Sequence, residues 1–288
     1  MKAHEILYDA VSYAKSPAKQ YKSQKTSWQQ LAEALPRLAT AISQFNKGAR
    51  IYRGLNRLEP ILFKPEMPRG TRSSANTQNY YTLFVDNSAA WAQFPPRSSG
   101  VICSTVYSKA DLYGRVYVVL PEGNPVIGIA PQDDFWASFE KRLNHIGNLK
   151  DLNDGIKEIA KEWLQIKNFQ PTSWPELQQV LQAIDDKNYF SFPNLPKIPL
   201  KNDWAAPLLQ NRPGTTMEQK LSWWLDPKAN GFKTVPLSNF KVKGDHEIWF
   251  SAPCWFIDVD ILSKHKKTPL ADLIIQIANT NRERGYKD

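Results

Sequence analysis

The sequence predicts an α+β fold in which a strand-rich body is divided by a helical insertion. Apolar runs of strand length lie on both sides of a central stretch whose apolar residues follow helical spacing. One amphipathic helix precedes the first of these runs, and another follows the last. Apolar residues make up 42% of the 288 residues, which is typical of a globular protein with a sizeable core.

The first helix is predicted to follow Thr26 and Ser27, either of which can act as its N-cap. Apolar residues then recur at helical spacing as far as Phe45, and Gly48 lies just past the expected end. Because proline lacks an amide hydrogen, Pro36 is expected to kink or divide this helix.

Short apolar runs after this helix predict the strands of the body. They lie at 49–55, 101–103, 116–121, 126–130 and, after the insertion, between 235 and 261. Residues 64–79 are polar and rich in Pro, Arg and Ser, which predicts a long loop. A short helix is expected over 108–114.

Helical spacing dominates between about 132 and 230. Four segments carry it, at 135–143, 152–166, 174–184 and 216–225, with proline-rich connectors such as 192–196 between them. We therefore predict an N-terminal helical region over 1–48 and a domain over 49–288 that contains this insertion. A last helix is expected over 270–284, with Pro269 at its first position.

Composition excludes several classes of protein. No run of eighteen apolar residues occurs, and the first 24 residues lack the pattern of a secretory signal, so we expect a cytoplasmic protein with no membrane partner. The four histidines show no metal-ligand spacing, and we expect no metal. Cys103 and Cys254 lie in predicted apolar strands. We expect either two buried thiols or a disulfide between neighbouring strands.

The net charge of +9 is concentrated near the N-terminus. Residues 1–57 contain ten basic side chains against three acids, namely Lys2, Lys15, Lys19, Lys22, Lys25, Arg37, Lys47, Arg50, Arg53 and Arg57. Such a basic arm attracts the phosphates of nucleic acid or another anionic partner. The alternative is that these charges serve solubility alone.

Three short polar segments occur in a suggestive order along the predicted strands. They are Tyr52-Arg53-Gly54, then Ser104-Thr105, then Asp245-His246-Glu247 immediately before an apolar strand. This order resembles the arginine-serine-glutamate class of ADP-ribosyltransferases. That family carries an Arg on its first strand, a Ser-Thr-Ser motif on its second and a Glu-x-Glu pair before a later strand.

The resemblance covers residues 50–57, 100–130 and 232–262. It implies a split β-sheet core that binds NAD as co-substrate and transfers ADP-ribose to a macromolecule, with release of nicotinamide. Members of the family include bacterial and phage toxins and effectors, and a toxin of this kind would act in the cytoplasm of a bacterial host cell.

The first two segments supply implied binding residues. Arg53 would contact the phosphates or adjoining ribose of NAD, and Gly54 would let the backbone approach the ligand closely. Ser104 would bond the nicotinamide ribose or orient the glutamate. Thr105 matches the second motif position, whereas Val106 departs from the third. The alternatives are a structural ion pair for Arg53 and an ordinary polar strand end for Ser104.

The third segment supplies the implied catalytic residues. Glu247 would bind a ribose hydroxyl and stabilise the cation that develops there. Asp245 replaces the family's first Glu and shares a face with Glu247 at strand spacing, but its side chain is one methylene shorter. His246 is expected to face the opposite side and pack. Arg97 could serve the phosphates alongside Arg53, or belong to a surface turn.

The acceptor is the least determined part of the prediction. The loop over 230–243 offers three lysines and two phenylalanines, suited to phosphates and bases or, alternatively, to a solvated face over a core. We favour a mono-ADP-ribosyltransferase toxin acting on RNA over one acting on protein, with a neutralising partner protein. The alternatives are an NAD glycohydrolase and a non-enzymatic, basic nucleic-acid-binding protein.

Overall fold

The computed structural model describes residues 23–56, 60–65, 79–143, 149–166, 170–186, 216–241, 243–265 and 267–283. Within these ranges the chain forms one antiparallel sheet surrounded by helices, so the predicted α+β class is confirmed. Most of the predicted loop over 64–79, the connector 192–196 and the first 22 residues lie outside the described part. The predicted domain boundaries stay predictions.

The described residues contribute nine strands to the sheet. They are β1 (Ser23–Lys25), β2 (Tyr52–Leu55), β3 (Leu62–Pro65), β4 (Val101–Ser104), β5 (Arg115–Pro121), β6 (Val126–Ile129), β7 (Lys233–Pro236), β8 (Glu247–Phe250) and β9 (Cys254–Asp258). Their order across the sheet is β1-β3-β9-β5-β2-β4-β8-β6-β7. Tyr52 pairs with Ser104 where β2 meets β4, which joins the two halves of the sheet.

The described residues also form eleven α-helices. They are α1 (Trp28–Glu33), α2 (Leu35–Asn46), α3 (Asn79–Asn87), α4 (Tyr107–Asp111), α5 (Glu140–Leu143), α6 (Leu149–Leu164), α7 (Trp174–Asp186), α8 (Met217–Trp224), α9 (Pro227–Asn230), α10 (Val259–Ser263) and α11 (Leu270–Glu283). Of these, α5 to α9 lie between β6 and β7, where the helical insertion was predicted.

Two clusters of buried apolar side chains hold these elements together. The first joins the sheet to α1, α2 and α11, which pack against one another. The second fills the space between α3, the helices from α5 to α8 and one face of β8. Trp249 of β8 belongs to this second cluster, and its ring lies across Gly128, where an added Cβ would be 2.4 Å away. The helical stretch is therefore anchored directly on the sheet.

Several local predictions differ from the structure. The helix expected over 135–143 is a 3-10 turn, Ala137–Phe139, followed by the short α5. The strand expected over 49–55 begins at Tyr52, and β8 begins at Glu247, so Asp245 precedes the strand. Cys103 and Cys254 are both buried thiols that form no disulfide, which settles the two alternatives left open for them.

Candidate functional site

The sheet brings the three predicted segments onto neighbouring strands. Tyr52 of β2 pairs with Ser104 of β4, and Ser104 pairs with Glu247 of β8. Arg53 follows Tyr52 directly, and its Nη1 donates to Ile102 O of β4 at 2.8 Å. The three segments therefore lie on adjacent strands where the two halves of the sheet join, with Arg53 one residue beyond the paired positions.

Glu247 is held by its backbone and its carboxylate. Its amide donates to Gln132 O at 2.8 Å, and its carbonyl accepts from the Ala130 amide at 2.9 Å. Its Oε1 lies 2.7 Å from Arg97 Nη1, and its Oε2 accepts from the Phe135 amide at 3.2 Å. The Glu247 side chain is 15% exposed, although its Oε1 is buried.

The environment of Glu247 acts in two directions on its ionisation. Burial raises the pKa of the Glu247 carboxyl, and the negative charge of Asp134 raises it further. The charge and hydrogen bond of Arg97 and the amide of Phe135 lower it. The net result is a raised pKa, because burial is the largest of these effects.

Arg97 lies in a cage of aromatic rings. It is 6% exposed, and its Cζ is 3.8 Å from the ring centre of Phe135, 5.4 Å from that of Trp136 and 5.8 Å from that of Trp249. The guanidinium is therefore held by cation–π contacts and by its ion pair with Glu247, while Arg97 Nη1 and Glu247 Oε1 are buried without a well-aligned hydrogen bond. The expected contact between Arg97 and phosphates stays a prediction, and the surface-turn alternative does not fit this burial.

Gly54 has a packing requirement of its own. A Cβ at this position would lie 1.8 Å from Ala110 O, so α4 rests directly on the β2 backbone. The fold therefore needs glycine at this position so that α4 can lie this close to β2. The expected approach of a ligand to the Gly54 backbone stays a prediction.

The two hydroxyls that follow β4 have different partners. Ser104 Oγ accepts from the Val106 amide at 3.0 Å, and a hydroxyl that accepts one bond still has a proton to donate. Thr105 Oγ1 donates to Gly244 O at 2.8 Å and accepts from the His246 amide at 2.9 Å. Thr105 therefore fixes the turn that leads into β8.

Asp245 and His246 occupy that turn. Asp245 is exposed and lies outside the strand, so the strand-spacing argument for a face shared with Glu247 was wrong. The His246 ring contacts two carbonyls, with Nδ1 2.8 Å from Ala130 O and Nε2 3.1 Å from Lys243 O. These contacts give His246 a structural role, as expected.

The rim of the site is formed by α4 and the turn after β6. Lys109 Nζ of α4 lies 2.5 Å from Asp133 Oδ2, and this ion pair links α4 to the turn after β6. Tyr113 follows α4 and is 55% exposed. Partial burial and the charges of Asp134 and Glu247 raise the pKa of Tyr113, against a smaller lowering by Arg53. An aromatic ring within electrostatic range of both Arg53 and Glu247 thus faces the solvent.

The structure separates the alternatives for the loop over 230–243. Phe232 and Phe240 are buried in the core and cannot stack on bases. Lys233, Lys241 and Lys243 are exposed. Of the N-terminal basic residues, Lys2, Lys15, Lys19, Lys22 and Arg57 lie outside the described residues, and Arg37 forms an ion pair with Glu122 at 3.2 Å.

Sequence reasoning missed the partners of Glu247. Arg97 was expected to serve the phosphates or to belong to a surface turn, and nothing in the sequence indicated the Phe135 amide. Both contacts join residues far apart in the chain, and no local sequence pattern predicts them. The signal in the sequence was Arg97 itself, the one charged residue of the segment 94–100.

No group of three or more His, Cys, Asp or Glu side chains within the described ranges is arranged to hold a metal ion. Among the helices that the structure describes, none combines the length and apolarity needed to cross a bilayer.

Similarity to known proteins gives no guide to function here. Comparisons of this chain with protein-family models, with curated proteins and with solved structures find no match. Function must therefore be argued from the geometry of the site.

Proposed function

We propose that this protein cleaves NAD at its nicotinamide–ribose bond and transfers ADP-ribose to a macromolecular acceptor. The observation that carries the proposal is the pairing of the three segments on β2, β4 and β8. Ser104 is the cross-strand partner of Glu247, and Arg53 follows the cross-strand partner of Ser104. The order of motifs along the chain thus corresponds to neighbours in the sheet.

The donor set suits a dinucleotide with two riboses and a pyrophosphate. Arg53 offers a permanent positive charge with several N–H donors, which suits phosphate oxygens. The Ser104 hydroxyl can donate to the ribose next to nicotinamide. When NAD is bound, breaking its nicotinamide–ribose bond develops positive charge on that ribose. A group of fixed negative charge is therefore needed nearby.

Glu247 meets this need. Oε1 pairs with Arg97 and is buried, whereas Oε2 accepts one bond from the Phe135 amide and has a second acceptor position for a ribose hydroxyl. Its backbone bonds to Gln132 and Ala130 fix its location before any ligand arrives. A preorganised charge of this kind stabilises a transition state without reorganisation during the reaction.

The acceptor that we favour is RNA. The exposed Lys233, Lys241 and Lys243 lie on the segment leading into the site, and the net charge of +9 favours an anionic partner. The buried Phe232 and Phe240 contribute nothing to base stacking, so this preference depends on charge alone.

The test uses labelled NAD with wild type and Glu247→Gln. We expect nicotinamide release by the wild type and a loss of about 10²-fold or more in the variant, by analogy with removal of one preorganised electrostatic group. Glu33→Gln, an exposed glutamate on α1, is the matched control and should retain wild-type activity. Absence of nicotinamide release by folded wild type, or equal rates in Glu247→Gln, would refute the proposal.

The acceptor is identified by adding cell extract and then nuclease or protease. Label removed by nuclease supports RNA, and label removed only by protease identifies a protein acceptor and overturns our preference. Nicotinamide released at the same rate with and without extract, with no label retained, identifies an NAD glycohydrolase.

A further inference from the structure

Arg97 and Glu247 form a buried ion pair, with 7% and 15% of their side chains exposed. Taking both charges out of water is costly, and apolar residues of similar volume often replace such pairs without loss of stability. The surroundings are already apolar, since Phe135 and Trp249 are fully buried next to the guanidinium. What the arginine supplies, and an apolar side chain could not, is a positive charge against the Glu247 carboxylate.

The backbone around Arg97 is fixed from two directions. The Asp86 carboxylate, on α3, accepts from the Arg97 amide at 2.6 Å and from the Ser98 amide at 2.9 Å. Trp249 Nε1 donates to Pro95 O at 2.7 Å. The position of the guanidinium is therefore set by a rigid segment, in addition to its own side-chain contacts.

The charged and titratable groups facing Glu247 come from several elements. Arg97 approaches from the segment before β4, and Asp134 from the turn after β6. Tyr113 interacts from the end of α4 with both Glu247 and Arg53. Among these groups Arg97 is the one that forms an ion pair with the carboxylate. Replacing Arg97 would therefore change the pKa of Glu247 most.

We propose that Arg97 is a positioning residue which keeps Glu247 ionised and holds one of its oxygens in place, with Asp86 fixing the segment that carries Arg97. This inference rests on the proposed function for the catalytic role of Glu247. It assigns Arg97 to the carboxylate and not to the phosphates of NAD. Both the charge and the planar shape of the guanidinium, whose Cζ lies 3.8 Å from the ring centre of Phe135, are needed, so lysine should substitute for it only in part.

The first measurement needs no substrate. Glutamate carboxyl carbons are labelled with ¹³C, the Glu247 signal is identified by its loss in Glu247→Gln, and its titration is followed by NMR. In Arg97→Gln the midpoint should move to higher pH, because burial still raises the pKa of Glu247 and the arginine charge that lowers it is gone. The midpoint should move less in Arg97→Lys. Arg142→Gln, which removes an arginine stacked on Trp223 at 4.1 Å, is the matched control and should leave the midpoint unchanged.

The second measurement is the pH profile of nicotinamide release. In Arg97→Gln we expect kcat to fall by up to about 10²-fold, because a displaced catalytic group is costly, with little change in KM for NAD. The acid side of the profile should move to higher pH together with the NMR midpoint. A raised KM with an unmoved profile would mean that Arg97 binds substrate, and it would overturn the inference.

The two measurements separate failure of this inference from failure of the proposed function. If wild type consumes no NAD, the proposed function fails, and an unmoved NMR midpoint in Arg97→Gln would still refute the charge-holding role. If Arg97→Gln does not fold, Arg97→Lys decides: a wild-type kcat there refutes the need for the planar guanidinium. A lowered kcat with a midpoint near that of wild type supports it.

Discussion

At the scale of single residues, close backbone contact determines what Gly54 can be. A Cβ there would lie 1.8 Å from Ala110 O and 3.0 Å from Tyr113 Cβ. A carbonyl within α4 cannot move aside without moving the helix, so the fold itself requires glycine. The resemblance assigns the same residue to ligand approach. One substitution distinguishes these roles, because the first concerns stability and the second concerns binding.

We expect Gly54→Ala to lower the free energy of unfolding by about 3 kcal/mol, since overpacking against fixed atoms forces the backbone to shift. Urea denaturation measures the loss. Gly123→Ala is the control, because Gly123 has φ +73° with open space around it, and its cost of about 1–2 kcal/mol reflects backbone conformation alone. Unchanged stability in Gly54→Ala with weakened NAD binding would favour the ligand role.

At the scale of elements, sequence signals worked where local chemistry decides structure. Ser27 caps α1 in a reciprocal pair with Gln30, and the break at Ala34 precedes Pro36 in α2, as the sequence predicts. By contrast α3 was not predicted, because residues 80–85 are all buried and show no helical alternation of apolar and polar positions. The strands β1 and β3 are three and four residues long, too short for a periodic signal.

The residues of the candidate site divide in the same way, into those that local sequence predicts and those that tertiary packing places. Arg53, Ser104 and Glu247 could be selected because their motifs adjoin strands, and the sheet pairing then placed them together. The bond between Arg97 and Glu247 depends on tertiary packing, and no spacing in the sequence encodes it. The position of Asp245 was misjudged because strand ends are set by pairing with β4, whose last residue, Ser104, pairs with Glu247.

Glu122, just after β5, links three elements and gives a prediction at this scale. Its carboxylate contacts Lys64 of β3 at 2.7 Å, Arg37 of α2 at 3.2 Å and Trp255 Nε1 of β9 at 2.9 Å, with 13% of the side chain exposed. Burial acts to raise the pKa of Glu122, but the bonds and charges of these partners outweigh it, so the pKa is lowered.

Glu122→Gln should therefore lower the free energy of unfolding by about 1–3 kcal/mol at neutral pH. The sign of the pH dependence follows from the lowered pKa. The stabilisation is complete above the carboxyl's ordinary pKa of 4.5 and is lost as pH falls through the lower value of the folded state. Urea unfolding of both proteins across this range measures it, with Glu33→Gln as control. A difference independent of pH would contradict the ionic origin.

At the scale of the whole molecule, the site lies where the sheet meets the helical stretch. Glu247 comes from β8. Phe135, at the start of the helical stretch, donates its amide to Glu247 and packs its ring against the Arg97 guanidinium. Trp249, two residues further along β8, packs its ring against Phe135 at 5.2 Å and stacks on Phe94 at 6.0 Å. The helical stretch therefore completes the site as well as covering the sheet.

This arrangement implies that loosening the helical stretch should loosen the strands of the site. Phe139 is fully buried in the aromatic cluster, 5.0 Å from Phe232 and 5.5 Å from Phe135. Phe139→Ala should lower the free energy of unfolding by about 3–5 kcal/mol. Hydrogen exchange should then accelerate in α6, β4 and β8 together, because one cooperative unit contains them. Ile275→Ala, at a partly exposed position on α11, should leave exchange at these strands unchanged. Acceleration confined to the helices would show that the insertion unfolds on its own, and the site would then depend on the sheet alone.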